Sequence, residues 1–103
     1  MYLARFSYDL LPANRQKAVE FIRREVVAAR DKGLTARLLI PVTRGHGGAA
    51  LQFEIELNSL DALDQFRQRG VSSGEETRNW MHAFSEILLA PPVVEILRLD
   101  AVD

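Results

Sequence analysis

The sequence predicts an α+β fold in which helices cover one face of a four-stranded antiparallel sheet. The main observation is hydrophobic periodicity, which alternates between two and 3.6 in the order strand, helix, strand, strand, helix, strand. A glycine-rich segment at residues 44–48 separates the second and third strands, and Pro91-Pro92 precedes the last strand. We predict that residues 1–103 form one domain, because a chain of this length can bury an ordinary core.

The first strand and the first helix follow from the N-terminal third of the chain. In residues 2–9, aromatic or small side chains alternate with mostly polar ones, which predicts a half-buried strand. Pro12 and Asn14 then open a long helix that runs to Lys32 and stops at Gly33. The helix has an apolar stripe at helical spacing: Ala18, Val19, Ile22, Val26 and Ala29.

Residues 34–43 and 49–58 are predicted to form an antiparallel pair of strands. The segment that joins them, Arg44-Gly45-His46-Gly47-Gly48, contains three glycines, and glycine adopts the positive backbone dihedrals that a hairpin loop needs. In residues 49–58 the apolar side chains Leu51, Phe53, Ile55 and Leu57 alternate with polar ones, as in a strand with one buried face.

Two helical segments and a strand complete the chain. Asn58 or Ser59 caps a short helix that ends near Gly70, and Ser73 and Glu76 have the spacing of a capping box for a third helical segment. The apolar stripe of that segment is Trp80, Phe84, Ile87 and Leu88. Residues 93–100 form the last strand.

The order βαββαβ with right-handed crossovers is the ferredoxin-like plan, which leaves one sheet face without helices. We predict that the helix-facing side chains are Tyr2, Phe6, Tyr8, Leu34, Leu38, Ile40, Val42, Leu51, Phe53, Ile55, Leu57, Leu97 and Leu99. The opposite, open face would carry Leu3, Arg5, Ser7, Arg37, Leu39, Pro41, Gln52, Glu54, Glu56, Val94, Ile96 and Arg98. Its aliphatic side chains exceed what a monomer usually exposes, and its arginines can pair with its glutamates. We therefore predict a homodimer that forms through this face.

Composition narrows the classes of function. The chain has no cysteine, which excludes thiol catalysis and disulfides and fits a cytoplasmic location. No leader pattern and no run long enough for a membrane span is present, so we expect no membrane association. A net charge of -1 gives no general attraction to phosphate backbones, so we expect no nucleic-acid partner. We expect no cofactor and no metal.

Several short motifs have a catalytic and a structural interpretation. Gly70-Val71-Ser72-Ser73-Gly74 matches a serine-nucleophile pattern, but a helix precedes Ser72, and His82 precedes Asp100, so a cap between helices explains the residues better. His82 and Glu86 have metal-ligand spacing without a third ligand, which favours a solvated helix face. Glu54 and Glu56 lie on one strand face and are expected to pair with arginines across strands rather than act as acid and base.

Trp80 is the residue most indicative of a ligand site. Together with neighbouring aromatic side chains it can form a wall where the third helical segment meets the sheet, beside the irregular stretch 70–74. Core packing without a cavity accounts for the same stripe. The predicted pocket residues are Tyr8, Phe53, Trp80, His82 and Phe84.

The chain resembles the dimeric α/β-barrel superfamily, over its whole length in architecture and over its second half in sequence, with the NIPSNAP-like and antibiotic-biosynthesis-monooxygenase-like branches as the most similar. The residues that carry the resemblance are the segments 59–66, Arg78-Asn79-Trp80 with Phe84, and 94–98. The resemblance implies a homodimer with a small aromatic or hydrophobic ligand between sheet and helices, and Trp80 resembles the pocket tryptophan of such proteins. Ser7 stands where the haem-degrading branch has asparagine, which counts against haem.

Three hypotheses about function follow. The first is a homodimer that binds a small hydrophobic or aromatic molecule between sheet and helices. The second is a cofactor-independent monooxygenase or isomerase, in which Trp80, Tyr8 and a nearby arginine or histidine hold and deprotonate a phenolic or enolisable substrate. The third is an interaction module whose dimer surface is the function.

Overall fold

The computed structural model describes residues 1–69 and 82–100, with side chains for residues 1–65 and 82–100. The strands are β1 (Tyr2–Tyr8), β2 (Ala36–Leu39), β3 (Leu51–Leu57) and β4 (Val93–Arg98). A short 3-10 helix (Pro12–Asn14) leads into helix α1 (Arg15–Asp31), and helix α2 (Leu60–Arg69) follows β3. Residues 82–86 are also helical.

The four strands form one antiparallel sheet in the order β2-β3-β1-β4. This order, together with helices between β1 and β2 and after β3, is the ferredoxin-like arrangement, so the predicted fold class is confirmed. The two central strands supply most of the sheet's contribution to the core. Leu51, Phe53 and Ile55 of β3 are at most 2% exposed and face the helices together with Ala4 and Tyr8 of β1.

Helix α1 packs against β2 and β3 through the stripe that its sequence predicts. All five predicted stripe residues are buried. The helix ends in a Schellman motif, because the Gly33 N–H donates to the Arg30 carbonyl and the Leu34 N–H donates to the Ala29 carbonyl. Gly33 has a φ of 79°, which favours glycine at this position.

Strand β2 is much shorter than predicted. The sequence predicts a strand over residues 34–43, and the structure has Ala36–Leu39. Pro41 follows closely and has no N–H to donate to a sheet ladder, which explains the early end of the strand. In the loop that follows, Gly47 has a φ of 72°, as a glycine-rich hairpin connection requires.

The predicted faces of β4 are wrong. In the observed register Val93, Glu95 and Leu97 lie opposite Ser7, Arg5 and Leu3, so they belong to the open face. Val94, Ile96 and Arg98 lie on the helix-facing side. Alternation along a strand divides its residues into two faces but does not show which face points toward the helices. Both faces of β4 contain aliphatic side chains, so hydrophobicity could not decide between them.

The residues after the third helical segment pair with the residues that follow β1. Leu88 forms a bridge with Leu10, and the Leu89 N–H donates to the Asp9 carbonyl. The predicted capping box at Ser73 and Glu76, the serine motif 70–74 and Trp80 lie outside the described residues. Within the part of the chain that the structure describes, no helix is long and apolar enough to cross a membrane.

Candidate functional site

Three aromatic side chains meet where the helical residues 82–86 approach the sheet and α1. Tyr8 and Phe84 form an edge contact with ring centroids 5.2 Å apart, and the rings of Phe84 and Phe21 are 5.4 Å apart. Tyr8 and Phe84 are both buried. We call Tyr8, Phe21 and Phe84 the aromatic cluster. It brings together two of the predicted pocket residues, Tyr8 and Phe84, from opposite ends of the chain.

The Tyr8 hydroxyl is the polar group of this cluster. Tyr8 is 8% exposed, and its hydroxyl makes no hydrogen bond with the described part of the chain. Burial raises the pKa of the Tyr8 phenol above its ordinary value, and the negative charge of Glu25 raises it further. The phenol is therefore neutral at physiological pH and can donate a hydrogen bond.

The other predicted pocket residues are placed differently. Phe53 is buried on the same sheet face and its ring contacts that of Phe6, with centroids 5.9 Å apart. His82 points away from the aromatic cluster into solvent: its side chain is 77% exposed, and its Nε2 lies 3.1 Å from a carboxylate oxygen of Glu86. The structure therefore does not bring His82 into the predicted pocket. Trp80 lies outside the described residues, so its role in a pocket stays a prediction.

Sequence reasoning missed Phe21 and Glu25. Both lie on α1 beside the buried stripe, with Phe21 three residues after Ala18 and Glu25 four residues after Phe21. These spacings place them on one side of the helix, so helical periodicity contained the signal. The influence of Glu25 on Tyr8 was not expected, because a glutamate beside an apolar stripe usually points into solvent.

The open face of the sheet carries a buried carboxylate held by two arginines. The Arg5 Nε donates to one oxygen of Glu54 at 2.6 Å, and the Arg37 Nε donates to the other at 2.7 Å. Glu54 is 2% exposed. Burial alone would raise the pKa of Glu54, but the hydrogen bonds and charges of the two arginines outweigh it and hold the pKa below its ordinary value.

The predicted pairing across strands is therefore confirmed for Glu54 with Arg5 and Arg37. Because the carboxylate is ionised and both oxygens are occupied, Glu54 is not available as a general acid or base. Arg98, which was expected to join this network, lies on the opposite face of the sheet.

A groove of about 520 Å³ opens on the same face, next to the glycine loop. Its lining includes Ser7, Gln52, Val93, Glu95 and Arg44. Most polar groups at its edge are already engaged with one another. The Gln52 amide donates to the Ser7 hydroxyl at 3.1 Å, and Arg44 donates to the Gly48 carbonyl at 2.6 Å and to Asp9 at 3.1 Å. Arg44 thus connects the loop at residues 44–48 with Asp9, the residue that follows β1.

The glycine-rich loop and the start of α2 are each held by a local hydrogen bond. His46-Gly47-Gly48 lies in a turn, closed by the Gly48 N–H donating to the Gly45 carbonyl. Ser59 caps α2, since its hydroxyl accepts from the Ala62 N–H at 3.1 Å. Among residues 1–65 and 82–100, no group of three or more histidine, aspartate or glutamate side chains could hold a metal ion.

Comparisons with known proteins extend the fold assignment. No family model matches the sequence, and no curated protein matches it. Solved structures that are similar over nearly the whole chain include the following three. One is Rv0793 from Mycobacterium tuberculosis, with a TM-score of 0.68 and 21% identity, covering 99% of this chain and 96% of that one.

The second is an antibiotic biosynthesis monooxygenase, with a TM-score of 0.70, 16% identity and full coverage of both chains. The third is a putative antibiotic biosynthesis monooxygenase from Bordetella bronchiseptica, with a TM-score of 0.69, 14% identity and 97% coverage of both chains. The predicted resemblance in fold is thus confirmed, whereas no NIPSNAP protein is among these three. The chain has the same ferredoxin-like α+β fold as these structures, two of which are described as antibiotic biosynthesis monooxygenases.

Proposed function

We propose that this protein is a homodimer that binds a small aromatic molecule against the aromatic cluster, between the sheet and the helices. The observation that carries the proposal is the buried Tyr8 hydroxyl. Among residues 1–65 and 82–100 this buried donor has no partner, which costs roughly 1–3 kcal/mol, and an acceptor that arrives with a ligand would explain why it is retained. The rings of Phe84 and Phe21 supply apolar surface beside that donor.

The state of Tyr8 narrows the chemistry of the ligand. A neutral phenol donates a hydrogen bond, so its partner is an acceptor oxygen such as a carbonyl of a quinone or an aromatic ketone. Glu25 opposes formation of a phenolate at Tyr8 through its negative charge. We therefore assign Tyr8 to orienting the ligand and not to removing a proton from it.

The homodimer half of the proposal rests on the open face. None of the described helices packs on that side of the sheet. Val93 is therefore 62% exposed, and Leu39 and Leu97 are only half-buried. Such a surface, mixed with paired charges, suits a second copy of the same sheet. Sedimentation at micromolar concentration tests it directly, with a dimer mass expected and a monomer mass contradicting the proposal.

Binding of an aromatic ligand near Tyr8 is tested by thermal stabilisation. A panel of naphthoquinones, aromatic ketones and matched hydrocarbons without oxygen is added to the wild type and to Tyr8→Phe. We expect the oxygen-bearing compounds to raise Tm of the wild type, and Tyr8→Phe to bind them about 5- to 10-fold more weakly, as expected for one neutral hydrogen bond. Tyr2→Phe is the matched control, because Tyr2 lies at the far end of the same strand face.

Equal affinity of wild type and Tyr8→Phe for every stabilising compound would contradict the role of Tyr8. No stabilisation by any member of the panel would contradict the proposed ligand class.

A second candidate function is a cofactor-independent monooxygenase or isomerase, which the names of two similar structures favour. In that reaction the Tyr8 hydroxyl would donate to the oxygen of an enolate or phenolate as charge develops there. Oxygen uptake or a spectral change with a panel of quinols tests this candidate. Inertness of the pure protein with every quinol, together with stabilisation by quinones, would leave the binding protein as the function.

A further inference from the structure

Helix α1 carries one carboxylate within its apolar stripe. Residues that are three or four positions apart lie on the same side of a helix. At these spacings from Glu25, on both sides, all four residues are apolar and belong to the core or pack against it: Phe21, Ile22, Ala28 and Ala29. Glu25 is half-buried, whereas Glu20 of the same helix is exposed. Glu25 therefore shares the side of α1 that faces the sheet.

This position places the carboxylate beside the aromatic cluster. Phe21, one turn before Glu25, is the member of the cluster that α1 contributes, and its ring lies 5.4 Å from that of Phe84. Helical side chains tilt toward the N-terminus, so we expect the Glu25 carboxylate to lie over the turn that contains Phe21. The electrostatic effect of Glu25 on the Tyr8 hydroxyl agrees with this placement. The cluster thus has a hydrogen-bond donor on the sheet side and a negative charge on the helix side.

A carboxylate at this position does not improve the packing of the helix. Removing a charged group from water costs free energy, and an apolar side chain of similar length would fill the stripe without that cost. The charge does have an effect on any molecule that binds beside it. Where water is partly excluded, the effective dielectric constant is low, so a second negative charge is repelled more strongly than in bulk water.

We propose that Glu25 makes the ligand site selective for uncharged aromatic molecules, because its carboxylate repels aromatic carboxylates and phenolates. The selectivity rests on the ligand site proposed above and adds the residue that decides which ligand charge is accepted. Tyr8 and Glu25 then have different roles. Tyr8 selects for an acceptor oxygen, and Glu25 selects against a negative charge.

Two ligands that differ only in charge test this role. Acetylnaphthoate and its amide carry the same aromatic ketone and have nearly the same shape, but only the first is an anion at neutral pH. Their dissociation constants are measured by calorimetric titration. We expect the wild type to bind the amide at least about 10-fold more tightly than the carboxylate, and Glu25→Gln to reduce this ratio roughly 5- to 10-fold by strengthening the binding of the carboxylate.

The change in the ratio is the decisive quantity. The ratio in the wild type also contains the cost of removing the ligand carboxylate from water, which Glu25→Gln leaves unchanged. A general loosening of the site would weaken both ligands together, whereas loss of the charge acts on the carboxylate ligand. Glu25→Met is a second variant that removes the charge and fills the stripe with an apolar side chain, and it should reduce the ratio in the same way.

Glu20→Gln is the matched control. It removes the same charge from the exposed side of the same helix, where solvent and salt screen it, so the ratio should change less than about 2-fold. A ratio that is the same in the wild type, Glu25→Gln and Glu25→Met would overturn the role of Glu25, and so would an equal effect of Glu20→Gln.

Failure of the ligand site itself gives a different result. If neither compound binds the wild type, or if both bind Tyr8→Phe as tightly as the wild type, the ligand site proposed at the aromatic cluster is contradicted, and the role of Glu25 with it. If the amide binds in a manner that depends on Tyr8 while the ratio does not respond to Glu25, only the charge selectivity is contradicted.

Discussion

Glu54 is the only charged side chain that is buried among those the structure describes. Its ionisation is tolerated because each carboxylate oxygen accepts a short hydrogen bond from a different arginine. The two arginines, in turn, lie on the strands that flank β3, so the carboxylate connects β1, β3 and β2 on the open face. A buried charge of this kind stabilises the fold only while it remains paired.

We expect Glu54→Gln to lower the free energy of unfolding by about 2 kcal/mol, because two arginines lose their shared counter-charge, a loss moderated by their partial exposure. The measurement is urea unfolding at pH 7 and fixed protein concentration. Glu20→Gln on the exposed side of α1 is the control, with a change below about 0.5 kcal/mol expected. Equal stability of the two variants would contradict a stabilising role for the paired carboxylate.

The pH dependence of stability should report the same group. The pKa of Glu54 is lower in the folded protein than its ordinary value of 4.5, so the unfolded chain binds the proton more readily. Its contribution to stability is therefore complete above about pH 5 and is lost as pH falls through 4.5 and below. We expect the wild type to lose more stability than Glu54→Gln between pH 6 and pH 3. Parallel stability curves for the two proteins would contradict the lowered pKa.

At the scale of elements, the end of α1 depends on one glycine. Gly33 adopts a positive φ that closes the Schellman motif and directs the chain toward β2. We expect Gly33→Ala to cost about 1 kcal/mol and to lower Tm by roughly 4–8 °C, because an L side chain is strained in this conformation. Gly45→Ala is the control, since a Cβ there meets open space and φ is not positive. Calorimetry compares the two variants, and equal Tm values would contradict the assignment.

Sequence periodicity predicted the order of helices and strands, but it predicted less well which side of each element faces the core. The stripe of α1 was predicted correctly because five apolar side chains at helical spacing leave one possible buried side. In β4 both sides contain aliphatic residues, so only the pairing with β1 decides which side faces the helices. Because of that wrong choice, Glu95 was not expected on the open face, where the register places it opposite Arg5. Two of the three members of the aromatic cluster, Tyr8 and Phe84, were predicted as neighbours, and Phe21 was not.

At the scale of the whole molecule, the same sheet carries two different surfaces. Side chains that face the helices build the core and the aromatic cluster, and the alternate side chains of the same strands, with the paired Arg5 and Glu54 among them, build the open face. Tyr8 and Ser7, which are adjacent in β1, therefore belong to opposite surfaces. If a partner covers the open face, it restricts the motion of strand β1, and Tyr8 lies on the other side of that strand. Dimer formation is therefore expected to influence the geometry of the proposed ligand site.

A homodimer whose stability comes partly from its interface has a Tm that depends on concentration, because the partner binds only the folded protomer. Between about 1 and 100 µM we expect Tm of the wild type to rise by roughly 5 °C. A Tm that stays constant across this hundred-fold range would contradict the coupling of folding to dimer formation, because a monomer unfolds independently of its concentration.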